Sequence, residues 1–150
     1  MKIEVISNKE LFIFVNSLYI KVNNYSNKDE IISVVKSFII KLKNRLKLRG
    51  FYKIKVYVKE KIGLFIELLK LEDIDRLDGL DLRVIVYFDE DIYFKTDDFF
   101  VIFGLPNIRY FNGYYYCLVD DIFDINMKGE FGEFVYGREV MNVIDKGILI

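Results

Sequence analysis

Side chains able to do chemistry gather at three acidic places in this chain: Asp89, Glu90 and Asp91; Asp97 and Asp98; and Asp120, Asp121 and Asp124. Paired carboxylates divide acid and base roles in glycoside hydrolysis, and several together hold Mg²⁺ or Ca²⁺ through oxygen. Adjacent acids on a strand point to opposite faces, however, and the alternating acidic spacing of a calcium loop is absent. All three groups also fall where turns are expected, and turn acids serve the backbone by accepting its hydrogen bonds. No histidine is present, so the usual general base and any Cys–His nucleophile are excluded, and the single Cys117 can form no internal disulfide. Gly129, Gly132 and Gly137 lack the spacing of a phosphate loop. Tyr114, Tyr115 and Tyr116 alternate sides on a strand, so at most two share a face. The sequence therefore predicts no catalytic residues, no cofactor, no metal centre and no enzyme.

The element around which the rest is arranged is residues 27–50. Ile31, Val35, Phe38, Leu42 and Leu46 recur at helical spacing, with Ile32, Val34 and Ile39 widening the stripe. Asn27 is placed to cap the first amides while Glu30 reaches back to the cap's own N–H, and Gly50 marks the far end. Before it, 2–6 and 11–15 read as an opening hairpin, with 18–22 extending the second strand. After it, Tyr52, Ile54, Val56 and Val58 alternate with Lys53, Lys55, Tyr57 and Lys59, and 64–71 forms the next strand. The expected class is α+β: an antiparallel β-β-α-β-β sheet packed by one long amphipathic helix over 1–71, then a β-meander with a short closing helix over 82–150. The stretch 72–81, carrying five acids, is read as a short connector between two halves that also leave open packing as one unit. The meander begins with 82–88 and continues through 92–96 and 99–103. Asn112 and Gly113 then mark a tight hairpin turn, and 134–136 and 138–146 are read as the last strand and helix.

Composition sets the outer limits. Of 150 residues, 53% are apolar and 17% aromatic, enough for a real core. No apolar run reaches the ~18 residues that cross a bilayer, and no leader peptide is recognisable, so a cytoplasmic protein with no membrane partner is expected. The net charge of −1 conceals an asymmetry. Residues 1–71 hold 15 Lys and Arg against 6 Asp and Glu, and residues 72–150 hold 7 against 17. Opposite halves can attract each other or face two different partners.

Lys41, Lys43, Arg45 and Lys47, together with Lys53, Lys55 and Lys59 of the next strand, form a basic face. Such a face beside aromatic side chains suits single-stranded nucleic acid, and equally it keeps a helix surface in water and complements the helix dipole. An oligomer interface sealed by the 14 Phe and 11 Tyr, a homo-oligomer subunit in effect, is the third reading.

A family likeness lies in the order of segments. The first half runs from the strand residues 1–6 and 11–14 through a helix to 51–58 and 63–68. The second runs from 84–94 through Asn112-Gly113-Tyr114-Tyr115-Tyr116 to Glu130-Phe131-Gly132-Glu133-Phe134-Val135-Tyr136 and a short helix. In this order the chain resembles the MecA-type adaptors that hand substrate proteins to a Clp-family AAA+ unfoldase. The family's longer acidic linker is reduced here to 72–81, and only 121–129 stand where the family has a substantial helix. The resemblance implies a non-enzymatic adaptor engaged in proteolysis regulation, with an unfoldase or chaperone component and a client protein as partners. It implies that Glu130, Phe131, Phe134 and Tyr136 contact the unfoldase while the basic first half meets the client.

Overall fold

The structure is a computed structural model that describes residues 1–71, 79–88, 90–120 and 131–150. Two compact units are present, Met1–Asp89 and Glu90–Ile150, and both mix helix with sheet. Among the described residues no helix is long and apolar enough to cross a membrane.

The first unit contains β1 (Lys2–Ser7), β2 (Glu10–Asn16), α1 (Lys28–Leu46), β3 (Gly50–Lys59), β4 (Gly63–Lys70) and β5 (Leu80–Tyr87). They form a five-stranded sheet in the order β1-β2-β4-β3-β5. Period-two alternation sends Ile13, Val15, Ile54, Val56, Leu64, Ile66 and Leu68 to one face, where they meet Ile31, Val35, Ile39 and Leu42 of α1 in one continuous core. The other face carries Phe12, Phe14, Phe65 and Tyr57, all buried, with the Phe14 and Phe65 rings 4.8 Å apart. Because β4 buries side chains of both faces, its sequence is almost continuously apolar.

Local chemistry sets the ends of α1. The Asn27 side chain accepts from the Glu30 N–H at 3.1 Å, as a cap should. Glu30 does not close the reciprocal box, because its carboxylate takes the N–H groups of Asn23 and Asn24 while the Asn27 N–H goes to the Asn24 carbonyl. At the far end Lys47 adopts the left-handed conformation (φ 54°) and closes the helix, so the role expected of Gly50 falls to a lysine and Gly50 opens β3 instead.

Two expectations about the second half are corrected. Leu80–Tyr87 is not the start of a separate antiparallel domain: it pairs in parallel with β3, from Gly50 opposite Leu80 to Tyr57 opposite Tyr87, which makes the first sheet mixed. The break between units accordingly falls after Asp89 and not at 72–81. An acidic composition marks chain that prefers water, not the end of a hydrogen-bonded sheet. The chain on either side of residues 72–78 is tied to β3, with the Leu71 N–H donating to the Phe51 carbonyl and the Gly50 N–H to the Gly79 carbonyl, both at 2.9 Å. Residues 72–78 of the connector lie outside the described residues.

The second unit contains β6 (Tyr93–Thr96), α2 (Phe99–Ile102), β7 (Arg109–Phe111), β8 (Tyr114–Leu118), β9 (Glu133–Val135), α3 (Arg138–Lys146) and β10 (Ile148–Leu149). Its strands run antiparallel in the order β10-β7-β8-β6-β9, so sequence neighbours are not always sheet neighbours and the simple meander is not formed. Asn112 and Gly113, both at positive φ, make the tight β7–β8 turn. Val140 and Val143 of α3 pack on Tyr93, Tyr116 and Val135, whereas Met141 and Ile144 of the same helix remain exposed.

Candidate functional site

Two features of the second unit combine charge or exposed aromatic surface with defined geometry. The first is centred on Lys95. Alternation along β6 places Lys95 and Tyr93 on the α3 side of the sheet, and the register sets Lys95 opposite Tyr116 of β8 and Glu133 of β9. Its ammonium lies 3.3 Å from Glu139 of α3 and 3.4 Å from Glu133, and 4.3 Å from the centre of the Tyr114 ring. The Tyr116 hydroxyl donates to the same Glu139 carboxylate at 3.2 Å. Partial burial works against the Lys95 charge, but Glu139, then Tyr116 and Glu133, outweigh it and hold its pKa above the ordinary lysine value. Burial, then the negative Glu139, push the Tyr116 phenol up to about 12. Near neutral pH both groups therefore keep their protons. Neither an amine nucleophile nor a phenolate base is available, and the arrangement serves to fasten α3 to three strands.

This network predicts alkaline sensitivity. The unfolded tyrosine ionises near pH 10, below its folded value, so the unfolded state releases its proton first and stability falls as pH rises from about 10 to about 12. Lys95 acts with the same sign: its raised folded pKa gives stability that is complete below the ordinary lysine value and is lost as pH rises through the folded one. Alkaline titration followed by tyrosinate absorbance is expected to show a tyrosine that ionises near pH about 12, missing in Tyr116→Phe and shifted down in Glu139→Gln, beside Tyr25, which burial and then Glu60 also raise.

The second feature is a row of aromatic rings. Asp98 caps α2 by accepting from the Phe100 N–H at 3.0 Å, and the resulting helical turn projects Phe100 and Phe103 outward, 83% and 69% exposed. Phe99 connects them to the sheet: its ring lies 6.4 Å from Phe100, 5.9 Å from Phe103 and 5.3 Å from Tyr115, and Tyr115 lies 5.2 Å from Tyr110. Phe131, 60% exposed, stands at the same end of the sheet, since its carbonyl accepts from the Thr96 hydroxyl at 2.9 Å and Thr96 is opposite Tyr115. The run 99–103 is apolar and aromatic, which favours a strand reading. The signal for a helical turn was Asp98, two residues before the amide it caps.

The residues expected to bind a partner divide. Phe131 is accessible, and Tyr136 is half-buried. Phe134 is buried, its ring 5.7 Å from Phe94, because alternation on β9 turns it away from Glu133 and Val135, so it offers no outer surface. Glu130 lies outside the described residues, as do Asp89, Asp121 and Asp124 of the acidic clusters and all of 121–129. The basic face also divides. Lys41, Arg45 and Lys47 are exposed on α1 and Lys43 half-buried, whereas Lys53, Lys55 and Lys59 alternate with Ile54, Val56 and Val58 and so occupy the sheet face away from the helix. Among the described residues no group of three or more acids or cysteines is arranged to hold a metal ion.

Fold and site together define a two-unit α+β protein whose second unit bears an exposed aromatic surface beside a charge-fastened helix. No protein-family model matches this chain, and no match to it is found among curated proteins or solved structures.

Proposed function

We propose that this protein is a binding module that works through contact with other proteins, an adaptor of the kind that delivers clients to a Clp-type AAA+ unfoldase. The observation that carries the reading is the aromatic row Phe100, Phe99, Tyr115 and Tyr110, with Phe103 and Phe131 beside it. Exposed apolar surface gathered in one place marks interaction sites, and aromatic side chains are the anchors that interfaces favour. The order of segments supports the unfoldase as the partner, and the charge division supports a second partner. Unit by unit, Met1–Asp89 carries 17 Lys and Arg against 12 Asp and Glu, and Glu90–Ile150 carries 5 against 11. A nucleic-acid role stands second, because the helix cations and the strand lysines lie on opposite sides of the sheet and cannot track one backbone together.

The test is calorimetric titration of the full chain into the amino-terminal domain of a Clp-type unfoldase, with the unfoldase ATPase rate measured alongside. Binding is expected, and Phe100→Ala combined with Phe103→Ala and Phe131→Ala is expected to weaken it at least about tenfold, the loss of two or more anchor side chains. Absence of both binding and an ATPase change sinks the unfoldase assignment. Binding indifferent to the triple substitution sinks the aromatic surface.

A further inference from the structure

The outer edge of the first sheet carries a pattern that complements itself. β1 is an edge strand, and from Lys2 to Val5 it pairs with β2 residue for residue before the register shifts ahead of Ser7. Edge strands are commonly guarded by bulges, charges or shortness, and here the irregularity begins only after Val5. Ile3 packs against the core beneath α1, and alternation puts Met1 and Val5 on that same side, 44% and 72% exposed. Lys2 and Glu4 project to the opposite side, where they form an ion pair of 2.8 Å with each other.

Reading outward along this edge gives apolar, positive, apolar, negative, apolar. Reversing the direction about Ile3 exchanges the two charges and leaves the apolar positions in place. A second β1 laid antiparallel and centred on Ile3 would therefore set Lys2 against the partner's Glu4 and Glu4 against the partner's Lys2. It would also set Ile3 against the partner's Ile3, and Met1 against the partner's Val5. Each intrastrand pair would become part of a square of alternating charge. A parallel arrangement, or an antiparallel one centred on Glu4, places like charges face to face, which is unfavourable.

We propose that β1 joins a second copy of this chain edge to edge, in antiparallel register centred on Ile3. The contact is isologous, so each copy contributes the same surface and growth stops at two. Its twofold axis runs perpendicular to the sheet, which leaves both α1 helices on one side. The inference does not depend on the adaptor reading.

Sedimentation equilibrium of the full chain from ~10 µM to ~1 mM tests it, because so short an edge gives an interface at the weak end of the range. A concentration-dependent dimer is expected. Lys2→Glu and Glu4→Lys each oppose like charges twice and are each expected to weaken the dimer at least about tenfold. An equimolar mixture of the two variants restores opposite signs at both pairs and is expected to associate again. Circular dichroism shows whether each variant keeps its fold. Raising salt to ~0.5 M supplies a readout without substitutions, since screening is expected to weaken the wild-type dimer. A wild-type chain that stays monomeric at ~1 mM overturns the proposal. So does a dimer indifferent to both salt and substitution, or a mixture of folded variants that stays monomeric.

Discussion

Replacing Gly63 with alanine is expected to cost the first unit ~3–5 kcal/mol and to lower its thermal midpoint by roughly 12–40 °C. Gly63 opens β4 at φ 148°, a conformation that side chains rarely adopt, and it stands opposite both Asn16 of β2 and Lys59 of β3. A Cβ built there falls on the Val15 carbonyl oxygen and comes within 3.0 Å of the Asn16 Cα and the Ser17 nitrogen. All three obstacles are backbone atoms, at the end of β2 and the first residue after it, so no flexible side chain can swing aside. The neighbouring Ser17 N–H donates to the Ile62 carbonyl at 3.0 Å, and a shift at Gly63 would break this link between two turns as well. Gly79→Ala is the matched control. It has open space around its Cβ position and an ordinary φ, and less than ~1 kcal/mol is expected. Thermal unfolding by circular dichroism distinguishes the two, and a Gly63→Ala protein as stable as the control would show that Val15 yields.

What the sequence made legible is what depends on near neighbours. The mixed α+β class, the Asn27 cap and the Asn112–Gly113 turn all follow from residues within a few positions of each other. Gly50 shows where this reasoning ends: a glycine shortly after an apolar helical stripe fits a C-cap, yet Lys47 takes the left-handed position and Gly50, four residues past the helix, serves the strand. The pairing of β5 with β3 was not legible, because Leu82, Val84 and Val86 need only an apolar partner in register and do not specify which strand provides it. At the site the distinction is similar. Alternation is written in the sequence, and applied to Lys53, Lys55 and Lys59 it already separates them from Ile54, Val56 and Val58. Which side α1 covers decides the rest, and that is a tertiary fact. The aromatic row depends on such a fact at its middle, since Phe99 and Tyr115 meet only through the β6–β8 pairing.

The seating of α1 yields the second large effect, from two adjacent isoleucines with opposite surroundings. Ile39 is fully buried against the sheet, and Ile40, one residue and about 100° further around the helix, is 58% exposed. Ile39→Ala removes buried methylene and methyl groups from the core that α1 shares with the sheet, leaving a cavity there. A loss of ~3–4 kcal/mol is expected, a fall of roughly 12–30 °C in the midpoint of this unit. Ile40→Ala removes the same atoms from a surface already largely in water and replaces a β-branched residue with the best helix former. Its expected effect is within ~0.5 kcal/mol and inclines toward stabilisation. The contrast tests the rotation of the helix about its own axis, which no single substitution does. A turn of one residue toward Ile40 would reverse the order of the two variants, and it would also swing Lys36 and Lys43 toward the sheet, where unpaired ammonium groups are costly to bury. Equal losses from both variants would mean that α1 is held by its capped ends and not by the stripe that joins it to the core.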